Sequence, residues 1–411
     1  MSNRIRAARA SDVRPRRTTA SRRVPLMQWG DMDLVLLASV AVLSVVGCLL
    51  VWSATTERDD LTGGDPRAFL FKQAVNVALG LGLMALVVMT DHRWVRILAP
   101  VAYLLAIGGL LLVLVMGSTI NGSRSWLIIG GMSFQPSELA KLAVVVGMGL
   151  VVAERSEGRW RDRVGTADVL LMLAVAGVPA ALILLQPDLG TMLVLTATVF
   201  GVVAASGAHR LWLAGLGLGG VLAASVAVVS GMLKQYQIDR FMAFTNPDLD
   251  PKGAGYNVEQ ARIAVGNGGL FGQGLFHGSQ TRSGFVPEQH TDFVFTVAGE
   301  ELGLVGAAVI VALLGVVLWR ALRIAFRTDD VFGRIAAAGI ACWFGFQAFQ
   351  NIGMCLGIMP VTGVPLPFVS YGGSSMFASM LAVGLLQNIH LRTLSAPASR
   401  LAPAARVLVR S

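Results

Sequence analysis

The chain has 411 residues, of which 55% are hydrophobic and 14% are charged, and its formal net charge is +9. Because soluble domains carry about 25% charged residues, this composition excludes an ordinary soluble protein and indicates a polytopic membrane protein. Arginines are concentrated in residues 1–31. We interpret that stretch as a disordered cytoplasmic tail against anionic lipid, in preference to a nucleic-acid-binding arm.

Apolar runs predict an all-α membrane domain of about ten transmembrane helices over residues 32–391, followed by a cytoplasmic tail at 392–411. The fourth run is short, and Gln186-Pro187-Asp188 separates the fifth from the sixth because proline ends a helix. The predicted runs are 33–52, 72–90, 95–116, 138–153, 168–186, 188–206, 211–231, 293–319, 335–357 and 371–390.

The distribution of lysine and arginine predicts the orientation. If the amino terminus is inside, the segments on that side hold most of the basic residues, as the positive-inside rule requires. Both termini are then cytoplasmic, and the long loop between helices 7 and 8 (residues 231–291) is extracytoplasmic. ATP and nucleotide sugars are absent from that side, so any chemistry there needs substrates that are membrane-carried or already activated.

Two features of the sequence argue against a cofactor site. Cys48, Cys342 and Cys355 lie in apolar runs without metal-ligand spacing, so we predict no structural metal site and no disulfide framework. The glycine-rich stretch 266–274 lacks the context and the Lys-Ser/Thr ending of a phosphate-binding loop. We interpret it as a close-packed glycine turn.

A carboxylate, Asp292, stands where the long loop enters the eighth helix. Such a group is costly to desolvate and is read as a functional site. If the helix starts near Thr291, Asp292 lies in its first turn, where the helix dipole favours the ionised form and leaves it available as a base. An equally favoured interpretation is that Asp292 only caps the helix. Glu300 and Glu301 lie either inside that helix or in a re-entrant turn before a helix that starts at Leu302.

Further polar groups lie near the same predicted face. Glu138 and Lys141 share a helix face at i, i+3 and can form an ion pair, which either anchors the helix at the interface or lines a polar cavity. Arg124, in the preceding loop, offers a planar guanidinium suited to phosphate oxygens. Trp126 suits the interfacial aromatic belt.

The long loop carries balanced charge, which argues against a simple polyanion trap. Arg240 is one of the basic residues in this balance, and polar groups such as Gln260 suit sugar hydroxyls. A loop of this length without obvious secondary structure is usually functional or disordered. Its Pro and Gly turns, at Asn246-Pro247 and Asp250-Pro251, favour an ordered loop.

Three stretches of the sequence form recognisable motifs: Arg240–Gln260, Pro287–Phe293 with Glu300-Glu301-Leu302-Gly303, and Pro360–Ser375. Together they resemble the SEDS proteins, the RodA/FtsW group of bacterial cell-wall polymerases, and the resemblance covers about residues 31–390. Within the group, His277-Gly278-Ser279-Gln280 is similar to the pattern of RodA-like members.

The resemblance implies peptidoglycan glycosyl transfer on the outer face of the membrane, with Asp292 as the essential aspartate. The substrates would be lipid II and an undecaprenyl-linked glycan strand, and the partner would be a class B penicillin-binding protein with a transpeptidase domain. No cofactor is required by this reading, although a divalent cation (Mg²⁺ or Mn²⁺) is one alternative for neutralising the pyrophosphate. The candidate substrate-binding residues are Arg124, Trp126, Glu138, Lys141, Arg240, Gln260, His290 and Ser370.

Two other classes of function remain open at this point. A lipid II flippase would use membrane-embedded charges to guide a headgroup across, and a non-catalytic scaffold would only organise a wall-building complex. A flippase needs polar groups along the whole crossing path, whereas the polar residues here cluster at one face. A division-type, FtsW-like paralogue is the alternative within the family.

Overall fold

The computed structural model describes residues 31–120, 123–129, 132–156, 164–231, 235–245 and 253–395. Long helices dominate these ranges, and each predicted apolar run overlaps one of them over most of its length. The helices are α1 (Leu34–Thr55), α2 (Asp59–Thr62), α3 (Ala68–Met89), α4 (His92–Met116), α5 (Pro136–Ser156), α6 (Thr166–Leu185), α7 (Leu189–Ala205), α8 (Arg210–Val229), α9 (Gln235–Thr245), α10 (Ala254–Asn267), α11 (Ser279–Ser283), α12 (Val294–Arg327), α13 (Val331–Cys355) and α14 (Gly373–Ser395).

The polytopic helical architecture is confirmed. Within the described ranges, eight helices are long and apolar enough to cross a membrane, and α7 is a shorter apolar helix. α14 fills the last predicted run but is not among those eight. The fourth predicted helix is longer than expected, since α5 has 21 residues. α14 extends to Ser395, beyond the predicted domain boundary at 391, whereas residues 1–30 and 396–411 of the predicted tails lie outside the described residues.

Aspartates define the start of several helices. Asp33 accepts a hydrogen bond from Leu36 N at 3.1 Å, and Asp188 accepts one from Thr191 N at 3.0 Å. Each carboxylate satisfies an amide that the first turn of its helix leaves without a partner. The predicted break at Gln186-Pro187-Asp188 is therefore real, with α6 ending at Leu185 and Asp188 capping α7.

A small antiparallel sheet stands between α4 and α5. Its strands are β1 (Ser118–Ile120), β2 (Ser123–Ile129) and β3 (Met132–Phe134), in the order β1-β2-β3. The segment that holds Arg124 and Trp126, predicted as a loop, is strand β2. Three polar residues, Ser-Arg-Ser, are followed by apolar residues in β2, so the segment lacks the alternation that marks a half-buried strand in a sequence.

Helices α5 and α13 form the centre of the bundle, and 72% of the most apolar stretch of each is buried. α13 packs against α5, α7 and α12, while α14 packs along α3. Close approach to α13 is possible because small residues recur along it. They include Gly333, Ala336, Ala337, Gly339 and Ala341. By contrast, α8 lies at the periphery and has no buried residue.

The described parts of the long loop are ordered, as the sequence predicted, and they contain α9, α10 and α11. Its Asn246-Pro247 and Asp250-Pro251 turns lie outside the described residues. The predicted glycine turn is close-packed: a Cβ added at Gly268 would lie 2.9 Å from Glu300 Cα. The loop therefore lies against the start of α12.

α12 is broken at Gly303, where φ is 67° and ψ is −168°. This backbone conformation is essentially confined to glycine. The break separates a short segment, residues 294–302, which we call the half-helix, from the long remainder of α12. Glu300 and Glu301 lie at the end of the half-helix, so the structure combines the two alternatives that the sequence left open: a helix starts before these acids, but it ends directly after them.

Candidate active site

Asp292 lies in a tight turn that precedes the half-helix. The amide groups of Thr291, Asp292 and Phe293 all donate to the carbonyl oxygen of Glu288, at 3.2, 3.0 and 3.2 Å. Phe293 is the N-cap residue of α12. The prediction that Asp292 lies in the first helical turn is therefore wrong, because the turn at Glu288 occupies these amides and the helix starts at Val294.

Two residues from other elements hold the Asp292 turn. Asn351 of α13 donates from Nδ2 to the carbonyl oxygens of Asp292 and Val364, both at 2.7 Å. Gly363 adopts φ +72°, and a Cβ added there would lie 3.1 Å from Asp292 Oδ2. The segment 360–372 thus approaches the carboxylate closely because glycine stands at its nearest point.

The surroundings of Asp292 raise its pKa to about 7. Burial is the main cause, because it disfavours the charged form, and the nearby carboxylate of Glu288 acts in the same direction. Arg240 on α9 opposes this shift, while Asp188 at the start of α7 adds to it. Asp292 nevertheless keeps partial exposure. The site thus combines a partly exposed residue with a carboxyl group whose pKa lies near neutral pH.

His290 and Ser370 pack the turn onto α3. The His290 ring lies edge-on to Phe69, with ring centroids 5.0 Å apart, and its carbonyl oxygen accepts a hydrogen bond from Tyr371 N at 2.9 Å. Burial lowers the pKa of His290, so its ring is neutral at pH 7. Ser370 accepts a hydrogen bond at Oγ from Leu366 N at 2.8 Å. Both predicted substrate-binding residues thus also hold the local backbone in place.

Glu138 and Lys141 form a fully buried ion pair at 2.7 Å, with side chains 2% and 0% exposed. Lys141 also donates to Gln347 Oε1 of α13 at 2.7 Å, and Gln347 donates from Nε2 to Pro365 O at 2.8 Å. The interpretation of this pair as an interfacial anchor is wrong, because α5 turns it inward against α13. The pair instead links the central helices to the segment 360–372, which approaches Asp292.

The remaining predicted residues are spread around this centre. Arg124 donates from Nε and Nη2 to the carbonyl oxygens of Gly117 and Val115, both at 2.8 Å, so it closes the end of α4. Trp126 lies in β2 opposite Ser118. Gln260 is partly exposed on α10. None of these observations places Arg124, Trp126 or Gln260 beside Asp292.

Arg240, by contrast, lies near the Asp292 carboxylate. A small cleft beside the site is lined by Arg240 and Gln237 of α9, by Pro187, and by Pro360 and Thr362. Arg240 also acts electrostatically on Asp292. Of the predicted cations, it is the one that the structure brings to the reacting group.

A long apolar groove of about 490 Å³ runs along α3, α4, α5 and α14. Leu139, Leu142 and Val146 line it from α5, and Ala102 and Leu105 line it from α4. Glu138 and Lys141 are not among the residues that line this groove, because they lie on a different face of α5. The groove wall is hydrocarbon, and it reaches Phe134 and Pro136 at the end of the bundle that carries Asp292.

Several site residues were missed from the sequence. Asn351 and Gln347 stand out in retrospect as polar side chains within an apolar helix, a pattern that marks functional positions in membranes. Asp188 was interpreted only as a break between helices. Within the described residues, no group of three or more His, Cys, Asp or Glu side chains is arranged to hold a metal ion.

Comparisons with known proteins agree with this architecture. A family model described as a cell cycle protein of the FtsW/RodA/SpoVE type matches residues 33–394. The chain is 36% identical over 364 residues to the probable peptidoglycan glycosyltransferase FtsW of Trichlorobacter lovleyi, covering 87% of this chain and 93% of that protein. It is 36% identical over 366 residues to the peptidoglycan glycosyltransferase MrdB of Escherichia coli, with the same coverage.

Solved structures show the same fold. A chain from a peptidoglycan synthase complex, described as coordinating polymerization and crosslinking, matches with a TM-score of 0.73 and 33% identity, over 89% of this chain and 99% of that one. The rod shape determining protein RodA of Thermus thermophilus matches with a TM-score of 0.62 and 31% identity, over 88% of this chain and 97% of that one. The helices around Asp292, together with the match over residues 33–394, make the chain a member of the FtsW/RodA/SpoVE family, the SEDS proteins.

Proposed function

We propose that this protein is a peptidoglycan polymerase that joins lipid II into glycan strands, with Asp292 as its general base. The observation that carries the proposal is a partly exposed carboxyl group whose pKa is raised to about 7 at the mouth of a membrane bundle. The enzyme class agrees with relatives that are named peptidoglycan glycosyltransferases.

In the proposed reaction, Asp292 takes the proton from the C4 hydroxyl of an incoming lipid II. The hydroxyl oxygen then attacks the anomeric carbon of a glycan linked through an α-pyrophosphate to undecaprenol. The new carbon–oxygen bond forms as the bond to pyrophosphate breaks, and the leaving group keeps the electron pair. One displacement inverts the centre and yields a β-1,4 link. A base within hydrogen-bond reach contributes about 10²–10⁴-fold to the rate.

The leaving pyrophosphate requires positive charge. Arg240 is the candidate that the geometry favours, because it acts on Asp292 from α9. Lys141 is fully buried with Glu138 and Gln347, and Arg124 is bonded to carbonyl groups at the end of α4. Lys141 is therefore inaccessible, and the guanidinium of Arg124 is engaged by the backbone.

The apolar groove along α3, α4, α5 and α14 suits a polyprenyl tail. Its lining is almost entirely aliphatic, so a hydrocarbon chain placed there is removed from contact with polar groups. The proposed orientation places both termini in the cytoplasm and the Asp292 end on the outer face. A lipid-linked substrate would then enter sideways from the membrane and meet Asp292 at the surface.

We place the protein in cell elongation and shape maintenance, as a RodA-like member. The support is His277-Gly278-Ser279-Gln280 and the structural likeness to RodA. A division-type role is the alternative, since FtsW of Trichlorobacter lovleyi is equally similar in sequence. A class B penicillin-binding protein is the proposed partner, supported by the likeness to a chain of a synthase complex that coordinates polymerization with crosslinking.

The test is polymerisation of labelled lipid II by the purified chain, alone and with the presumed partner. We expect long glycan from the wild type and a loss of about 10²–10⁴-fold in Asp292→Asn, with an unchanged thermal unfolding midpoint. Full activity of a folded Asp292→Asn protein would end the mechanism. Absence of polymer from the wild type with its partner, together with lipid II translocation in vesicles, would favour a flippase.

A further inference from the structure

The half-helix (residues 294–302) carries two buried acids that the proposed chemistry does not use. Glu300 is 0% exposed and Glu301 is 1% exposed. Burying a carboxylate is costly unless hydrogen bonds compensate for the lost water. The partners of these two groups therefore indicate what they do for the site.

The carboxylate of Glu300 holds α11 against the half-helix. It accepts hydrogen bonds from Gln280 N at 2.8 Å, from Thr281 N at 2.9 Å and from Thr281 Oγ1 at 2.7 Å, and a longer one from Ser279 Oγ at 3.3 Å. The N-cap of α11 is Gly278, which has no side chain to serve its free amides. Glu300, which lies on the half-helix twenty residues after Gln280, supplies the capping acceptor for these amides instead.

The break at Gly303 lets the loop pair with the backbone of the same two acids. The amides of Gln273 and Gly274 donate to the carbonyl oxygens of Glu300 and Glu301, both at 3.0 Å. In an unbroken helix the carbonyl of Glu300 would accept from the amide four residues later. That amide, Leu304 N, donates to Gly269 O at 2.9 Å instead.

Glu301 extends the anchoring to a third element. Its Oε1 accepts from Phe276 N at 3.1 Å and from Ser53 Oγ of α1 at 2.5 Å. The loop 268–293 is therefore attached at one end of the half-helix, and it returns to the other end at Asp292. Side-chain and backbone contacts at residues 300–301 fix its path.

We propose that Glu300 is a positioning residue for Asp292: by holding the loop 268–293 on the half-helix, it keeps the Asp292 turn in its partly buried place. This inference rests on the proposed function, in which Asp292 is the base. Glu300 acts on Asp292 through the path of the chain, since its own carboxylate is engaged by α11.

The charged and titratable groups that face Asp292 come from several elements. They are Glu288 in its own turn, Asp188 at the start of α7, Arg240 on α9 and the Cys355 thiol at the end of α13. A looser loop would let water reach the Asp292 carboxylate, although the variant would still contain all of these neighbouring groups. A change in the pH dependence of catalysis would therefore report the position of Asp292.

The experiment compares Glu300→Gln with the wild type in the full chain, using labelled lipid II. The amide keeps the size of the side chain but places an NH₂ group against the donors of α11. We expect kcat to fall about tenfold to a hundredfold, since small misplacement of a reacting group has that effect, with KM nearly unchanged. The midpoint of the pH–rate profile should move to lower pH, because hydration of Asp292 favours its charged form.

Two further variants make the test specific. Glu259→Gln changes an exposed acid on the neighbouring α10 and should behave as the wild type. Thr281→Val removes the hydroxyl that donates to Glu300. Its effect on kcat should be smaller in the Glu300→Gln background than in the wild type, since both changes break the same contact. Amide hydrogen exchange over 273–281 should accelerate in Glu300→Gln and in Thr281→Val, and should be unchanged in Glu259→Gln.

The outcomes separate the two proposals. Activity in folded Asp292→Asn would refute the proposed function whatever Glu300→Gln does. With Asp292→Asn inactive, a wild-type kcat and pH midpoint in Glu300→Gln, at a lower thermal midpoint, would show a merely structural residue and overturn the positioning role. If Glu300→Gln does not fold, Thr281→Val carries the same test, and a wild-type kcat and pH midpoint there would likewise overturn the role.

Discussion

At the residue scale, opposing influences set the protonation of Asp292. Burial and the Glu288 carboxylate raise its pKa, Arg240 lowers it, and the result is about 7. A general base works best when its pKa lies near the working pH, because it is then both deprotonated and able to hold a proton. The helix dipole predicts the opposite shift, but that prediction assumed a first-turn position, and Asp292 lies before the helix.

The pH dependence of polymerisation follows from that value. Asp292 must be deprotonated to act as a base, so kcat/KM should rise with pH, reach half its maximum near pH 7 and level off above it. Below the midpoint the rate should fall about tenfold per pH unit. The measurement is initial polymerisation rate from pH 5 to pH 9 with lipid II below saturation.

The titration of His290 can be told apart from that of Asp292 in this profile. Burial lowers its pKa from 6.5, so its titration lies below that of Asp292. A midpoint near pH 4, the ordinary value for an aspartate, would show that the carboxyl group is hydrated during catalysis and would contradict the environment described here.

At the element scale, the segment 360–372 depends on the helices beneath it. Gln347 receives hydrogen bonds from Lys141 of α5 and from Trp343 Nε1, both at 2.7 Å, and donates to Pro365 O. Lys141 also lies 5.1 Å from the centre of the Trp343 ring. The Glu138–Lys141 pair thus stabilises a junction of α5, α13 and the loop that approaches Asp292.

Breaking this pair should destabilise the fold. Lys141→Met leaves the Glu138 carboxylate buried without its cation, a change that typically costs about 3–5 kcal/mol. The thermal unfolding midpoint in detergent should fall strongly, and adding Glu138→Gln should recover part of the loss. Glu154→Gln is the control. It removes the ion pair between Glu154, also on α5, and Arg96 of α4, in which the Glu154 side chain is 61% exposed. An exposed pair contributes about 0–1 kcal/mol, so an equal loss in the two single variants would contradict the central role of the buried pair.

At the scale of the whole molecule, the groove and the Asp292 site share one end of the bundle. Gln135, next to the groove residues Phe134 and Pro136, donates from Nε2 to Asp188 Oδ2 at 3.0 Å. Asp188 in turn acts on Asp292. A lipid tail in the groove would therefore place its headgroup beside the loop segments that surround the carboxyl group.

Filling the groove should weaken lipid substrate binding. Ala102 lines the groove from α4 and is exposed, so Ala102→Phe adds bulk there without disturbing the core. We expect KM for lipid II to rise and kcat to change little, because the loss concerns binding remote from the reacting atoms. Val101→Phe is the matched control, since the neighbouring residue is 50% exposed and does not line the groove. Equal KM values in the two variants would refute a tail site there.

The sequence by itself determined the helical plan and singled out Asp292, the proposed general base. Apolar runs of membrane length, the break at Pro187 and the glycine turn at 266–274 all depend on neighbouring residues, so they are legible locally. Asp292 was identifiable for the same reason, as a carboxylate at the mouth of an apolar run. The motifs around it were specific enough to indicate the family, and the match over residues 33–394 confirms it.

The tertiary structure decided what surrounds these groups. The inward direction of the Glu138–Lys141 pair depends on α13, which lies about two hundred residues away in sequence. The break at Gly303 exists because the loop supplies backbone partners to the interrupted helix. The raised pKa of Asp292 arises mainly from burial and from the carboxylates of Glu288 and Asp188, and Arg240 on α9 opposes it. Such effects come from packing between distant segments, and local periodicity carries no record of them.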